Sequence, residues 1–399
     1  MKNRARLIFL FCFYGVLKSF KPSMPYFSPY LVNTKKFRNE EIVNDLFPIV
    51  QLVYLPLSFF VSNFTHKLGY RNLITLEAIC STIVPLLFLC GEERNWHFVI
   101  PAEVIYGISS ACSVGYFSYV YQLFEKKDYQ MITSWTWICF LLSKFASGIA
   151  GQLLVKYGFQ YETLFIISAV GGGLSLIVAL LIPRKDQYAN ASVGFSLFTK
   201  SYSKKIFSFS FLSVALWLCL NSIQPIVSSI WLEIDPIQGI KHNGVIDAFS
   251  KISSAIGAYL PNLYTSNKLH ITASFSFFTV IVFTIQAVRN LIVMYALNIS
   301  FDFFGNLTHA MIRVQLACAI EERNYAQIFG LNSFVTLILQ NCINFVCSIF
   351  GLSIWWRLLA LGAFALLAVL VFVVLAFLSE QTPNELILIG PENDKENNS

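Results

Sequence analysis

YETLFIISAVGGGLSLIVALLIPRKDQYANASVGFSLFTKSYSKK, residues 161–205, holds the two features that decide the architecture of this chain. From Leu164 to Ile182 no residue is charged, and that length of apolar helix crosses the roughly 30 Å hydrocarbon core of a bilayer. The longest polar interruption of the sequence, Arg184 to Lys205, follows at once. Outward on both sides, apolar segments alternate with short polar breaks. They lie near 6–21, 43–65, 72–90, 97–124, 129–155 and 161–183 before the interruption, and near 206–232, 243–264, 270–288, 291–320, 324–350 and 354–378 after it. The pattern predicts an all-α membrane protein of twelve transmembrane helices. Composition agrees: in a chain of 399 residues, 56% hydrophobic and 13% charged, there is too little polar surface to coat soluble domains.

The interruption divides the chain into a six-helix half, 1–183, a linker, 184–205, and a second six-helix half, 206–379. An acidic, Asn-rich tail, 380–399, reads as disordered. Two halves joined by an inner loop is the plan of the major facilitator superfamily, where solute binds at the bilayer midplane between halves that rock. Of the 28 Lys and Arg, fifteen fall inside and nine outside when the N-terminus is placed in the cytoplasm, so both termini and the linker are expected there. The first outer loop departs from the rule: Lys21, Lys35, Lys36 and Arg38 stand together as a solvated loop or as an attractor of anions. A net charge of +6 is accounted for by orientation, so no nucleic-acid partner is expected. Lys18 and Lys21 occupy the place where small residues would mark cleavage of a signal peptide, which predicts a retained first helix. Sequons at Asn63, Asn190, Asn298 and Asn306 fall inside the cell or within helices and are expected to carry no sugar.

Several chemistries are missing from the sequence. No phosphate-binding glycine loop is found, and the nine scattered cysteines offer no zinc spacing. No cofactor or metal is expected. His242 and Asp247 have the H-x4-D spacing of some acyltransferases, a match frequent enough by chance that an enzyme is not expected.

Ionisable side chains inside predicted helices cost several kcal/mol unless they face a cavity or a partner, which makes them candidates for function. In the segment 97–124, Glu103, Tyr106, Gly107 and Ser110 share one helical face. That face suits a polar ligand, or its carboxyl is satisfied by water near the outer surface. In 291–320, Asn298, Asp302, Asn306, His309 and Arg313 form a stripe expected to line a central cavity. Alternatively, Asp302 and Arg313 neutralise charges on other helices. Asp247 and Lys251 are spaced for an internal ion pair. Lys144 has no local partner and meets either Glu103 or solute. Trp135 and Trp137 read as lipid-facing, Gly171, Gly172 and Gly173 as a packing surface, and Asn221, Gln224 and Pro225 as a weak point in their helix.

Four stretches together resemble the reduced folate carrier and thiamine transporter family of the major facilitator superfamily. They are CFYGVLKSFKPSMPYFSPYL at 12–31; AEVIYGISSACSVGYFSYVY at 102–121 with DYQMITSW and GQLLV after it; IWLEIDP with HNGVIDAFSKISSAIGA at 230–258; and ERNYAQIFGLNSFVTLILQ at 322–340. The resemblance runs from about Cys12 to Leu378 and implies secondary transport of a small vitamin-like solute across the plasma membrane. Coupling to another ion is left open. By the same resemblance Glu103 and Tyr106 fall on substrate contacts and Asn243 on the Asn of an N-G motif. The pattern breaks at Met24, which replaces an acid, at Val50, which replaces a tryptophan of thiamine carriers, and at Ser113 and Asp302, which replace charged positions. Trp356 falls near a lysine of the folate carriers, with Arg357 beside it. The expected solute contacts are therefore Glu103, Tyr106, Ser110, Lys144, Asn243, Asp302, Asn306 and Arg313. With cations lost at Ser113 and Asp302, the cavity is expected to prefer a neutral solute or organic cation over dianionic folate. A second reading is a sensor or scaffold in the membrane that no longer transports.

Overall fold

The computed structural model describes residues 2–38, 41–42, 46–184, 204–235, 243–264, 267–320 and 324–380. Among them there are helices and no strands. The first half comprises α1 (Lys2–Ser19), α2 (Phe27–Asn33), α3 (Phe47–Leu68), α4 (Tyr70–Leu89), α5 (Trp96–Leu123), α6 (Tyr129–Lys156) and α7 (Tyr161–Leu181). The second comprises α8 (Lys204–Ile223), α9 (Val227–Ile234), α10 (Asn243–Tyr259), α11 (Lys268–Ala287), α12 (Leu291–Ala319), α13 (Tyr325–Ile349) and α14 (Ile354–Glu380). The bulk of the expected linker, 185–203, and the tail 381–399 lie outside the described residues.

Helix covers most of the described residues in each of the twelve expected segments. Ten helices among the described residues are long and apolar enough to cross a membrane. The other two are α3, which contributes only the shorter apolar stretch Ile49–Val61, and α10, an amphipathic helix of 17 residues. The first helix of each half is broken in the same way. Pro25 and Pro225 lack an N–H and clash with the preceding turn, and each sits in a 3₁₀ turn, Met24–Tyr26 or Gln224–Ile226, that leads into the short α2 or α9. The weak point expected at Gln224 and Pro225 is thus real, and it has a counterpart in the first half.

Each half has its own apolar core. Phe11, Tyr14, Ile74, Tyr116 and Ile132 pack together in the first, and Phe209, Trp231, Phe275, Phe278 and Phe301 in the second. Outside, Ile166, Val170, Leu174, Ile177 and Leu181 are exposed along one face of α7, as a lipid-facing surface requires. Two of the three glycines of α7 pack as expected: a Cβ on Gly172 would lie 2.8 Å from the Ser81 carbonyl oxygen on α4, and one on Gly171 3.1 Å from that of Phe20, whereas Gly173 has room for one.

The halves meet through α3 with α13 and α6 with α10, two pairings equivalent under the internal repeat, and through α5 with α13 and α6 with α12. At the end where Arg4 pairs with Asp128, hydroxyls tie them shut. Tyr129 donates to the Tyr121 carbonyl at 2.7 Å. Its one proton being used, its oxygen accepts from the Tyr325 hydroxyl at 2.8 Å. At the opposite end the loop cations expected to stand together are dispersed. Lys35 donates to the Gly91 carbonyl at 2.6 Å, Arg38 and Arg94 both pair with Glu41, and Lys21 lies in the interior cavity.

Candidate solute-binding site

A cavity of about 560 Å³ lies between the halves. Its rim carries Met24, half exposed beside the break after α1, so the cavity opens away from the tyrosine closure. Four of the expected contacts line it: Tyr106 and Ser110 from α5, Lys144 from α6 and Arg313 from α12. Ser110 donates to the Tyr106 carbonyl at 2.9 Å, so its lone pairs are open to a donor. Lys144 Nζ is 4.4 Å from the centroid of the Phe140 ring one turn earlier. The Arg313 guanidinium lies between the rings of Phe117, at 4.7 Å, and Phe329, at 5.0 Å. Such cation–π contacts hold a cation in place without neutralising it.

Three of the other expected contacts do not line the cavity. Glu103 is buried in α5 without a hydrogen-bond or ion-pair partner among the described residues. Three residues is about 300° of helix, so Glu103 is rotated from Tyr106 toward the side where Gly107 abuts Val50 and Val53 of α3. Asp302 is buried between helices, where it accepts from Gln224 Nε2 at 2.5 Å and from Lys251 Nζ at 3.2 Å. Asn306 accepts from the Trp137 indole at 2.7 Å and donates to Ser254 at 3.0 Å, joining α12 to both α6 and α10. Asn298 likewise donates to Ser250 at 2.9 Å. The stripe on α12 therefore splits: α10 packs along its first part and supplies hydroxyl partners, while His309 and Arg313 face the cavity. Asn243 begins α10, and its side chain lies outside those described. The expected Asp247–Lys251 pair is present at 3.5 Å, with Lys251 shared by Asp302.

Trp137 departs from its lipid-facing expectation. It is buried, with its ring centroid 4.7 Å from His309 and 5.9 Å from Trp217, all three on the cavity wall. Seven residues separate it from Lys144, which places both on one helical face. Trp135 does face outward, 44% exposed.

Three charged residues of the first half that stand on this wall were not among the expected contacts. Lys18 Nζ lies 2.6 Å from Glu77 Oε1, and the Tyr14 hydroxyl donates to Glu77 Oε2 at 2.9 Å. Glu77 is the one acid in the apolar run 72–90, so the membrane-burial cost that flagged Glu103 applies to it equally. Lys21, expected in the first outer loop, lies on the cavity wall. The apolar stretch instead continues to Tyr26, and Lys21 Nζ stands 5.7 Å from the Tyr106 ring.

The wall thus carries Lys18, Lys21, Lys144, Lys251 and Arg313 against Glu77 and Asp247. Lys18 and Lys251 are paired, whereas Lys21, Lys144 and Arg313 have no carboxylate partner among the described residues. The expected preference for a neutral or cationic solute was drawn from the cations lost at Ser113 and Asp302; Ser113 lines the cavity, whereas Asp302 and the acid Glu103 do not. These unpaired cations lie beside aromatic rings, Lys21 by Tyr106, Lys144 by Phe140 and Arg313 by Phe117.

Two helical halves around a central polar cavity have the plan of the major facilitator superfamily fold. The same fold occurs in a bacterial homologue of the iron transporter ferroportin, solved in an outward-facing state. It matches with a TM-score of 0.69 over 92% of this chain and 98% of that one, at 13% identity. A family model described as reduced folate carrier matches residues 3–192 and 190–354, and this chain belongs to that family. It is 24% identical to the mouse (Mus musculus) reduced folate transporter, over 87% of this chain and 76% of that protein. It is 24% identical to folate transporter 1 of Caenorhabditis elegans, over 84% and 83%, and 22% identical to human (Homo sapiens) thiamine transporter 1, over 90% and 87%. The protein is a multi-pass transporter and not an enzyme.

Proposed function

We propose that this chain is a secondary transporter of a vitamin-like organic anion at the plasma membrane, with both termini in the cytoplasm. Its halves, 1–183 and 206–379, rock about the cavity on the linker 184–205. In this reading the structure is the outward-open state, and the tyrosine closure is the inner gate. One observation carries the choice of an anion: Lys21, Lys144 and Arg313 stand on the cavity wall with no carboxylate partner among the described residues. In a site of low effective dielectric an unmatched charge is strongly unfavourable, so these cations favour a solute that brings the opposite sign. Tyr106, Ser110, Lys144 and Arg313 are the proposed contacts, joined by Lys21, with Trp137, Trp217 and Phe117 against the solute's ring. Asp302 and Asn306 hold α12 in place, and Glu103 lies behind the wall. The relatives' names, reduced folate transporter and thiamine transporter, support a vitamin-like solute and differ in the charge of the vitamin.

Uptake of labelled folate and thiamine, measured side by side in cells lacking their own carriers, tests the proposal. Saturable folate uptake with little thiamine uptake is expected. Saturable thiamine uptake without folate uptake would contradict it.

A further inference from the structure

Among the described residues, four buried polar atoms of the cavity-lining side chains have no hydrogen-bond partner: Ser19 Oγ, Ser147 Oγ, His309 Nδ1 and Asn332 Nδ2. The serines lie in helices, where rotation about one bond lets a hydroxyl donate to the preceding turn, as Ser110 and Ser168 do. His309 and Asn332 are different. Both are more than nine-tenths buried, at 3% and 6% exposure. Asn72, Asn306 and Asn341 each turn an amide N–H back on the carbonyl four residues earlier in their own helix, at 2.8, 2.8 and 2.9 Å. Asn332 forgoes that bond, and a buried donor left unmet is unfavourable unless something else supplies the acceptor.

We infer that His309 and Asn332 are the specificity-determining pair of this transporter, hydrogen-bonding the polar edge of a flat nitrogen heterocycle that lies against Trp137 and Trp217. The inference rests on the cavity being the solute site, as proposed above, and not on the sign of the solute's charge. Aromatic walls give contact area without choosing among flat solutes, since every ring has an apolar face. Choice comes from polar atoms. A site built to hydrogen-bond one solute rejects an analogue without the matching group, because the site's own buried groups are then left unpaired. Asn332 offers amide N–H groups to a ring nitrogen or carbonyl, and His309 Nδ1 takes the part its tautomer allows, donor or acceptor.

The helices bring the pair to one depth in the cavity. Tyr129 and Tyr325 meet at the closed end. Trp137 lies eight residues beyond Tyr129 in α6, and Asn332 seven beyond Tyr325 in α13, about 10–12 Å of helix in each case. His309 shares the level of Trp137, with ring centroids 4.7 Å apart, and Trp217 lies 4.9 Å from the same imidazole. The Trp137 indole N–H is already committed to Asn306 at 2.7 Å, which fixes the ring and leaves it only apolar surface to offer. At this level the polar contacts of a solute therefore fall to His309 and Asn332.

Two measurements on the purified full-length protein test the inference. The first is binding of labelled folate and labelled thiamine, both of which carry an amino-substituted pyrimidine ring. The competitors are fragments without that ring, para-aminobenzoylglutamate for folate and the thiazole alcohol for thiamine. In His309→Phe and Asn332→Leu, whichever vitamin binds the parent is expected to bind about tenfold more weakly or worse, while its fragment competes as it does with the parent. Equal losses for vitamin and fragment, or no loss for the vitamin, overturn the inference. Thiamine binding with this dependence, and no folate binding, would retire the anion reading and leave the inference standing. The second measurement needs no solute. Each substitution removes an unmet polar group from a buried site, so thermal midpoints equal to or above the parent's are expected. Midpoints lower by several degrees in both variants would mean that the two groups are satisfied in the free protein, and that result overturns the inference even if neither vitamin binds.

Discussion

Arg313 is held by two aromatic rings and balanced by no carboxylate among the described residues, and Lys144 shares that condition. Removing either charge with little change of bulk should weaken solute recognition and leave the fold intact. Arg313→Gln and Lys144→Gln are each expected to lower folate uptake about tenfold or more at unchanged surface expression, since a lost charge-assisted contact of about 1.5 kcal/mol or more is a factor of ten. Glu103→Gln, in contrast, is expected to leave uptake within about twofold, because no solute contact is removed. Collapse of uptake in Glu103→Gln with normal expression would return Glu103 to the binding surface. Burial cost in the membrane flagged Glu103, Lys144, Asp302 and Arg313 alike from the sequence. That cost says a charge needs a partner or a cavity, and it does not say which. Lys144 and Arg313 found the cavity, whereas Asp302 found Lys251 and Gln224. Lys18 and Glu77 went unpaired in the sequence because 58 residues lie between them.

At the scale of elements, the apolar runs were legible because a bilayer demands their length, and each became a helix near its expected limits. The breaks at Pro25 and Pro225 were harder to place. A proline signals the interruption, but tertiary contacts decide whether the chain then turns out or continues across, and here α2 and α9 continue it. The amphipathic α10 was read as a span like the others, yet it is the seam of the molecule, packed on both α12 and α6. Gly257 makes the first of those contacts possible: a Cβ there would collide with the Phe303 carbonyl oxygen, which belongs to the backbone and cannot yield cheaply. Gly257→Ala is expected to destabilise by about 1–3 kcal/mol, as overpacking does, seen as a lower thermal midpoint. Gly173→Ala serves as its control, since a Cβ there would meet only Thr82 Cγ2 at 4.0 Å. Equal midpoints for the two variants would refute close packing of α10 on α12.

The whole molecule has one closed end and one open end, and its account stands on the sign of the field in the open cavity. Clefts lined by one sign of charge raise the local concentration of the opposite ion by about tenfold or more. A cysteine placed at Ser110, on the cavity wall, reports that field without knowledge of the solute. The measurement compares its rates of reaction, from outside intact cells, with an anionic sulfonatoethyl and a cationic trimethylammonioethyl methanethiosulfonate, each corrected for reaction of the parent's own nine thiols. The account predicts that the anionic reagent reacts about tenfold faster relative to its rate with a free thiol, and that Lys144→Gln with Arg313→Gln abolishes the preference. A faster cationic reagent, or no reaction of Ser110→Cys from outside with either reagent, would contradict it.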